Sequence, residues 1–283
     1  MNSAARPGFI DIHSHLLSGL DDGPNEFGQS LEAAERYQAI GVETVIATPH
    51  WIQGTGWSPA PELVRARVME TEEKIRAAGI PLCILPGMEI ALTDFLCGHF
   101  AAADLVSLGE TGVFLIEFPL NSALNAPTSL GIRTLLARAE KKQFIIAHPE
   151  RCAMFHGNLD RVRELVAEGM RTQVNIGSIL GYCGRSSQQT ALSLLDAGLV
   201  HYLATDSHAG SDRMPPTPSE MTKLADLIGS DAVTAGFRDN PRRLLSGEAA
   251  FPLRCMMPEA GVDDSPTEPK NFMHGLLQLF REH

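Results

Sequence analysis

The stretch Phe9-Ile10-Asp11-Ile12-His13-Ser14-His15, followed at once by Gly19-Leu20-Asp21-Asp22-Gly23, is the one around which the chain is organised. A short apolar run ends in two histidines and passes into an acidic loop flanked by glycines. In a strand, residues i and i+2 project to the same face, so the rings of His13 and His15 are predicted to stand side by side at the strand end. Two imidazoles near carboxylates are a natural start for a metal site, although an isolated pair serves equally well as hydrogen-bonding histidines. The rest of the chain bears on that choice.

Short apolar or β-branched runs alternate with amphipathic stretches as far as about residue 230. Strands are predicted over 9–15, 44–50, 81–90, 113–119, 144–150, 171–179 and 202–208, with helices over 29–40, 61–78, 128–142, 159–168 and 187–197. Alternating β and α implies parallel strands with right-handed crossovers, as an open sheet or a barrel. No G-x-G-x-x-G opens a helix after a strand, which removes the usual dinucleotide signature. Six of the predicted strands end in residues able to bind metal: His13 and His15, His50, Glu89, Glu117, His148, then Asp206 and His208. Parallel barrels gather catalytic groups at the C-terminal ends of many strands, so this pattern favours a distorted TIM-like (β/α)7 barrel with a metal cluster on that rim.

Composition narrows the chemistry. With 283 residues, 44% hydrophobic and 20% charged, the chain is ordinary for a globular protein large enough to bury a substantial core. No apolar run approaches a membrane span and no apolar h-region follows Met1, so a cytoplasmic location without membrane insertion is expected. The five cysteines, at 83, 97, 152, 183 and 255, are odd in number and form no CxxC pair. A cysteine phosphatase carries Arg six positions after its Cys, whereas here those positions hold Glu89, Ala103, Asn158, Gln189 and Gly261. A net charge of −11 argues against a nucleic-acid partner.

The candidate ligands number five histidines (13, 15, 50, 148, 208) and four carboxylates (Asp22, Glu89, Glu117, Asp206). That exceeds the needs of one ion and points to two or three. Imidazole and carboxylate without thiolate suit Mn²⁺, Fe or Zn²⁺. A water bridging two such ions would have a depressed pKa and act as a hydroxide nucleophile.

The motifs DIHSHLLSGLDDGP (11–24), ATPHW (47–51), PGMEI (86–90), LIEFP (115–119), IIAHPERC (145–152), NIGSILGYCGR (175–185) and ATDSHAGSDRMPP (204–216) resemble the PHP (polymerase and histidinol phosphatase) superfamily. Within it the chain is most similar to the manganese-dependent protein-tyrosine phosphatases of bacterial capsule and exopolysaccharide operons, the CpsB/CapC/YwqE type, over roughly residues 9 to 245. The resemblance implies a metal-dependent phosphomonoesterase for protein phosphotyrosine, with an autophosphorylated bacterial tyrosine kinase as substrate. It implies one ion on His13, His15, Glu89 and Asp206, a second shared through Glu89 with Glu117 and His148, and a third on Asp22, His50 and His208. Asp21 is read as a supporting neighbour of Asp22. The AHPER and DxH…R motifs of the resemblance assign Arg151 and Arg213 to phosphate binding and catalysis, where position alone would make either a surface salt bridge.

Trp51 and Trp57 flank a glycine-rich loop after His50 and could wall the pocket against a tyrosyl ring, with Trp51 taken as the substrate-binding one. The family often has a second histidine where Trp51 stands. Residues 1–250 are expected to form the phosphatase domain. Residues 251–283 would supply a linker, rich in Pro, Asp and Glu over 258–270, and an amphipathic helix carrying Phe272, Leu276, Leu277 and Phe280. That helix would pack on its own domain or on another subunit. A small-molecule PHP phosphatase, such as histidinol-phosphate phosphatase, and a non-catalytic metal-binding scaffold are the competing readings.

Overall fold

The computed structural model describes residues 8–93, 96–97, 100–121, 129–138 and 142–254. Of the predicted linker and C-terminal helix, 251–283, all but residues 251–254 lie outside the described residues. The first half of the chain runs β1 (Phe9–His15), α1 (Phe27–Ile40), β2 (Val42–Ala47), β3 (His50–Trp51), α2 (Pro61–Ala77), β4 (Cys83–Pro86), β5 (Glu89–Ala91) and β6 (Val113–Glu117). There follow α3 (Ser129–Arg138), β7 (Gln143–Ala147), α4 (Leu159–Ala167), β8 (Arg171–Asn175), α5 (Ile176–Ile179), α6 (Arg185–Asp196), β9 (Tyr202–Ala204), β10 (Ser207–His208), α7 (Pro218–Ile228), α8 (Ser230–Thr234) and α9 (Asn240–Leu245).

The strands form two sheets, ordered β10-β1-β2-β4 and β3-β5-β6-β7-β8-β9, and every pairing is parallel. Three of the predicted strands divide between the two sheets. The break in 44–50 falls at Thr48-Pro49, where proline offers no N–H to a ladder. The break in 81–90 falls at Gly87-Met88, where the chain passes so close to its neighbour that a Cβ on Gly87 would stand 2.9 Å from Ile46 Cγ2. The break in 202–208 falls at Thr205-Asp206, where Asp206 has φ +50°. The predicted strand 171–179 is a strand only to Asn175, because Ile176–Ile179 turn into α5.

Alternation along the strands separates two apolar clusters. Ile10, Ile12, Ile46, Leu115, Ile145 and Ala204 pack together on one face. Val45, Phe114, Ile116, Phe144, Ile146 and Leu203 pack on the other with helix residues such as Ala33, Tyr37, Val64, Leu165 and Leu195. In β1 the register slips between Asp11 and Ser14. Such a bulge re-aims side chains, so Asp11 and Ser14 both reach Tyr37 of α1, while His13 and His15 turn to the strand ends beyond the inner cluster.

Candidate metal centre

His13 and His15 leave β1 with their Nε2 atoms 3.4 Å apart. Their Nδ1 atoms are engaged outward. His13 Nδ1 donates to Gln173 Oε1 at 3.0 Å and His15 Nδ1 to Asp21 Oδ2 at 2.6 Å. These acceptors fix the tautomer, so both Nε2 atoms present lone pairs inward. Glu89, at the start of β5, brings Oε2 to 3.3 Å from each Nε2, and Asp206 brings Oδ1 to 3.5 Å from each.

The other predicted residues gather around this core. His50 Nδ1 lies 3.0 Å from Glu89 Oε2 and 4.0 Å from Glu117 Oε2, and its Nε2 lies 3.4 Å from Asp22 Oδ1. His148 Nε2 is 2.8 Å from Glu89 Oε1. His208 Nε2 is 3.2 Å from Asp22 Oδ1, and its Nδ1 donates to the Asp206 carbonyl at 3.0 Å. All nine expected ligand positions therefore gather in overlapping groups near the strand ends. Four groupings have donor atoms close enough to share an ion: His15, Asp22, His50 and His208; His13, His148 and Asp206; His13, His15 and Glu89; His50, Glu89 and Glu117. Asp21 is in none of these groupings; its oxygens accept from His15 Nδ1, from Gly23 N at 2.9 Å and from His50 N at 2.9 Å.

The donors fit a divalent cation on grounds internal to the structure. Glu89 Oε2, Asp206 Oδ1 and His50 Nδ1 are buried without a well-directed hydrogen bond, the 3.0 Å approach of His50 Nδ1 to Glu89 Oε2 included, which is costly unless a cation completes them. Ligands about 2.0–2.2 Å from a tetrahedral ion stand roughly 3.4 Å apart, close to the mutual spacing of His13 Nε2, His15 Nε2 and Glu89 Oε2. His148 and Asp206 also hold left-handed backbone, φ +29° and +50°, at their strand ends. Strain of this kind in non-glycine residues persists where the site uses the direction it imposes.

The electrostatics follow from burial and neighbours. Burial, reinforced by the charge of Glu89, pushes the Glu117 carboxyl up to about 8. Burial acts the same way on Asp206, but His13, His15 and Arg213 outweigh it and hold that carboxyl well below the usual range. Arg151 Nη1 and Arg213 Nη2 both reach Asp206 Oδ2 at 2.5 Å, and Arg213 Nη1 lies 3.1 Å from His208 Nε2. The Cys152 thiol is fully buried and pushed above its ordinary value, chiefly by burial, which suits packing and not nucleophilic attack.

A cleft of about 710 Å³ opens beside Asp206, Arg151 and Arg213. Trp51 is not among its lining residues; it pairs with Ile90 in the β3–β5 ladder and packs half-buried against the core. Trp57 is the tryptophan on the centre, its ring stacked on His50 at 5.4 Å and 10°. Sequence reasoning missed a set of positioning residues. Gln173 Nε2 donates to Asn175 Oδ1 at 2.7 Å and Asn175 Nδ2 to Asp206 Oδ2 at 2.7 Å, so an amide relay links His13 to Asp206. Glu150 accepts from Asn175 N at 3.0 Å and anchors that relay to the His-Pro-Glu-Arg turn. Its position next to Arg151 was the only hint of this.

Parallel α/β architecture with a histidine–carboxylate cluster at the strand ends defines a class of metal-site proteins. Within that class the chain belongs to the CpsB/CapC family of capsular polysaccharide synthesis, whose family model matches residues 9–246. It is 32% identical over 244 residues to the tyrosine-protein phosphatase YwqE of Bacillus subtilis, covering 86% of this chain and 93% of that one. It is 28% identical over 241 residues to the tyrosine-protein phosphatase CpsB of Streptococcus pneumoniae, covering 83% and 98%. A crystal structure from work on those two proteins, described as unique metal-dependent tyrosine phosphatases, superposes with a TM-score of 0.76 at 29% identity, covering 88% of this chain and all of the other. The phosphotriesterase homology protein of Escherichia coli shares the fold alone, with a TM-score of 0.51 at 12% identity over 84% of this chain and 99% of that one. Among the described residues no helix is long and apolar enough to cross a membrane.

Proposed function

We propose that the chain is a metal-dependent protein-tyrosine phosphatase, a phosphomonoesterase that does not use cysteine. The observation that carries this is the convergence of two guanidinium groups and the partnerless donor cluster on one carboxylate, Asp206, at the inner end of an open cleft. Family membership and the named activities of YwqE and CpsB support it.

In this reading the two sheets are halves of one distorted (β/α)7 barrel. Each of the links 48–49, 87–88 and 205–206 joins a strand of one sheet to a strand of the other, and β10 pairs back onto β1. The ligands are His13, His15, Asp22, His50, Glu89, Glu117, His148, Asp206 and His208, and two or three Mn²⁺ ions suit their imidazole and carboxylate set. When bound, the ions would supply Lewis-acid polarisation of the phosphoryl group. Arg151 and Arg213 hold the equatorial phosphoryl oxygens, where charge develops as the ester bond breaks. Gln173 and Asp21 keep the His13 and His15 rings in one tautomer. The natural substrate is a cytoplasmic phosphotyrosine protein, a bacterial tyrosine kinase controlling polysaccharide synthesis.

The test is phosphate release from a phosphotyrosine peptide and from histidinol phosphate, side by side, with Mn²⁺ and with chelator. Chelator-sensitive preference for the peptide is expected. Preference for histidinol phosphate moves the protein to small-molecule metabolism, and turnover of neither leaves a metal-binding scaffold.

A further inference from the structure

The cleft beside Asp206 carries charged groups besides Arg151 and Arg213, namely Arg36, Asp212 and Glu220. The same cleft is also lined by the apolar side chains of Ile176, Leu180, Met214 and Pro216 and by Tyr182. Tyr182 is 62% exposed, a large apolar surface that the fold itself does not bury. It is nevertheless held in place. Gly181, with φ +92°, turns the chain out of α5, and Tyr182 N donates to Gly177 O at 2.8 Å. The phenolic hydroxyl donates to Glu220 Oε1 at 2.5 Å. That hydrogen bond pushes the phenol up to about 12, so the group remains a donor near neutral pH. Glu220 is fixed in turn, because its Oε2 accepts from Thr217 N at 2.6 Å in the capping box that starts α7. Gly177 carries no side chain beside the ring, where a Cβ would stand in ordinary contact, 3.9 Å from Tyr182 Cδ2.

An exposed aromatic face pinned by its hydroxyl costs little further entropy when it packs against a second ring. We infer that Tyr182 is a specificity-determining residue, the aryl wall of the slot that receives the phenyl ring of a phosphotyrosyl side chain whose phosphate is held by Arg151 and Arg213. This rests on the phosphotyrosine reading and adds to it the group that senses the ring.

The experiment compares the Mn²⁺-loaded wild type with Tyr182→Ala and Tyr182→Phe, measuring KM for a phosphotyrosine peptide and the inhibition constant of inorganic phosphate, which has no ring. In Tyr182→Ala the KM is expected to rise about ten-fold while the phosphate constant stays near its wild-type value, and Tyr182→Phe should keep most of the wild-type KM. An unchanged KM in Tyr182→Ala, a parallel rise of both constants, or an equal loss in Tyr182→Phe overturns the inference and leaves the phosphatase reading standing. Failure of the wild type to release phosphate from the peptide removes both.

Discussion

Asp11 and His13 are two residues apart on β1, both fully buried and both surrounded by polar groups, yet their surroundings are satisfied in different ways. The Asp11 carboxylate accepts from His13 N, Thr205 N, the Tyr37 hydroxyl and the Thr205 hydroxyl, at 3.2, 3.1, 2.8 and 2.5 Å. Four donors meet one acceptor group, so this cluster is closed by its own hydrogen bonds and fastens β1 to the turn before Asp206. Around His13 Nε2 the neighbours are another imidazole lone pair and two carboxylate oxygens, none offering a proton. That cluster is closed only by something positive. The difference separates a polar network that satisfies itself from one that calls for a positive charge.

The sharpest way to break the comparison is to remove one residue from each side. His13→Ala or Asp206→Ala should lower kcat/KM on a phosphotyrosine peptide by at least about 10³-fold. The same His13→Ala substitution should leave the urea stability of metal-stripped protein within about 1 kcal/mol of wild type, since it relieves facing lone pairs as well as removing packing. Asp11→Ala should do the reverse, lowering stripped-protein stability by about 3 kcal/mol because several buried donors lose their acceptor. Equal losses of stability in the two variants would erase the distinction.

A smaller effect sharpens it further. His201 is a buried histidine outside the centre, with Nδ1 accepting from Thr172 N at 3.3 Å. Burial, with help from Arg171, brings its pKa down to about 4 from 6.5. The folded state therefore binds fewer protons than the unfolded one, and the stability His201 contributes is complete above 6.5 and lost as pH falls toward 4. Between pH 6.5 and about 5.5 the loss should be about 1 kcal/mol, and His201→Gln should flatten that part of the stability curve.

The residues that gather at the centre were legible because ligand-type residues at the ends of successive apolar runs are a one-dimensional pattern. Each of His50, Glu89, Glu117, His148 and Asp206 could be found without knowing what lay opposite. The supporting shell was not legible, because its members meet only through the fold: Gln173 is 160 residues from His13, and Thr205 is 194 from Asp11. The parallel α/β alternation was readable from periodicity; Pro49, Gly87 and Asp206 do mark the breaks, but that the chain resumes in the other sheet after each depends on the fold and was not readable. Nor did the sequence distinguish Trp51 from Trp57. Both flank the same loop, and the choice depends on Trp57 folding back, with Ile52 N donating to Trp57 O at 2.6 Å, to lay its ring on His50.

The most direct measurement is a calorimetric titration of Mn²⁺ into metal-stripped protein, with phosphotyrosine hydrolysis followed at each addition. Two or three ions per chain and turnover that rises as they fill are the predicted result, with binding abolished at one or more of those sites in Asp206→Ala. Full turnover in the presence of chelator, or no saturable Mn²⁺ binding, would contradict the account.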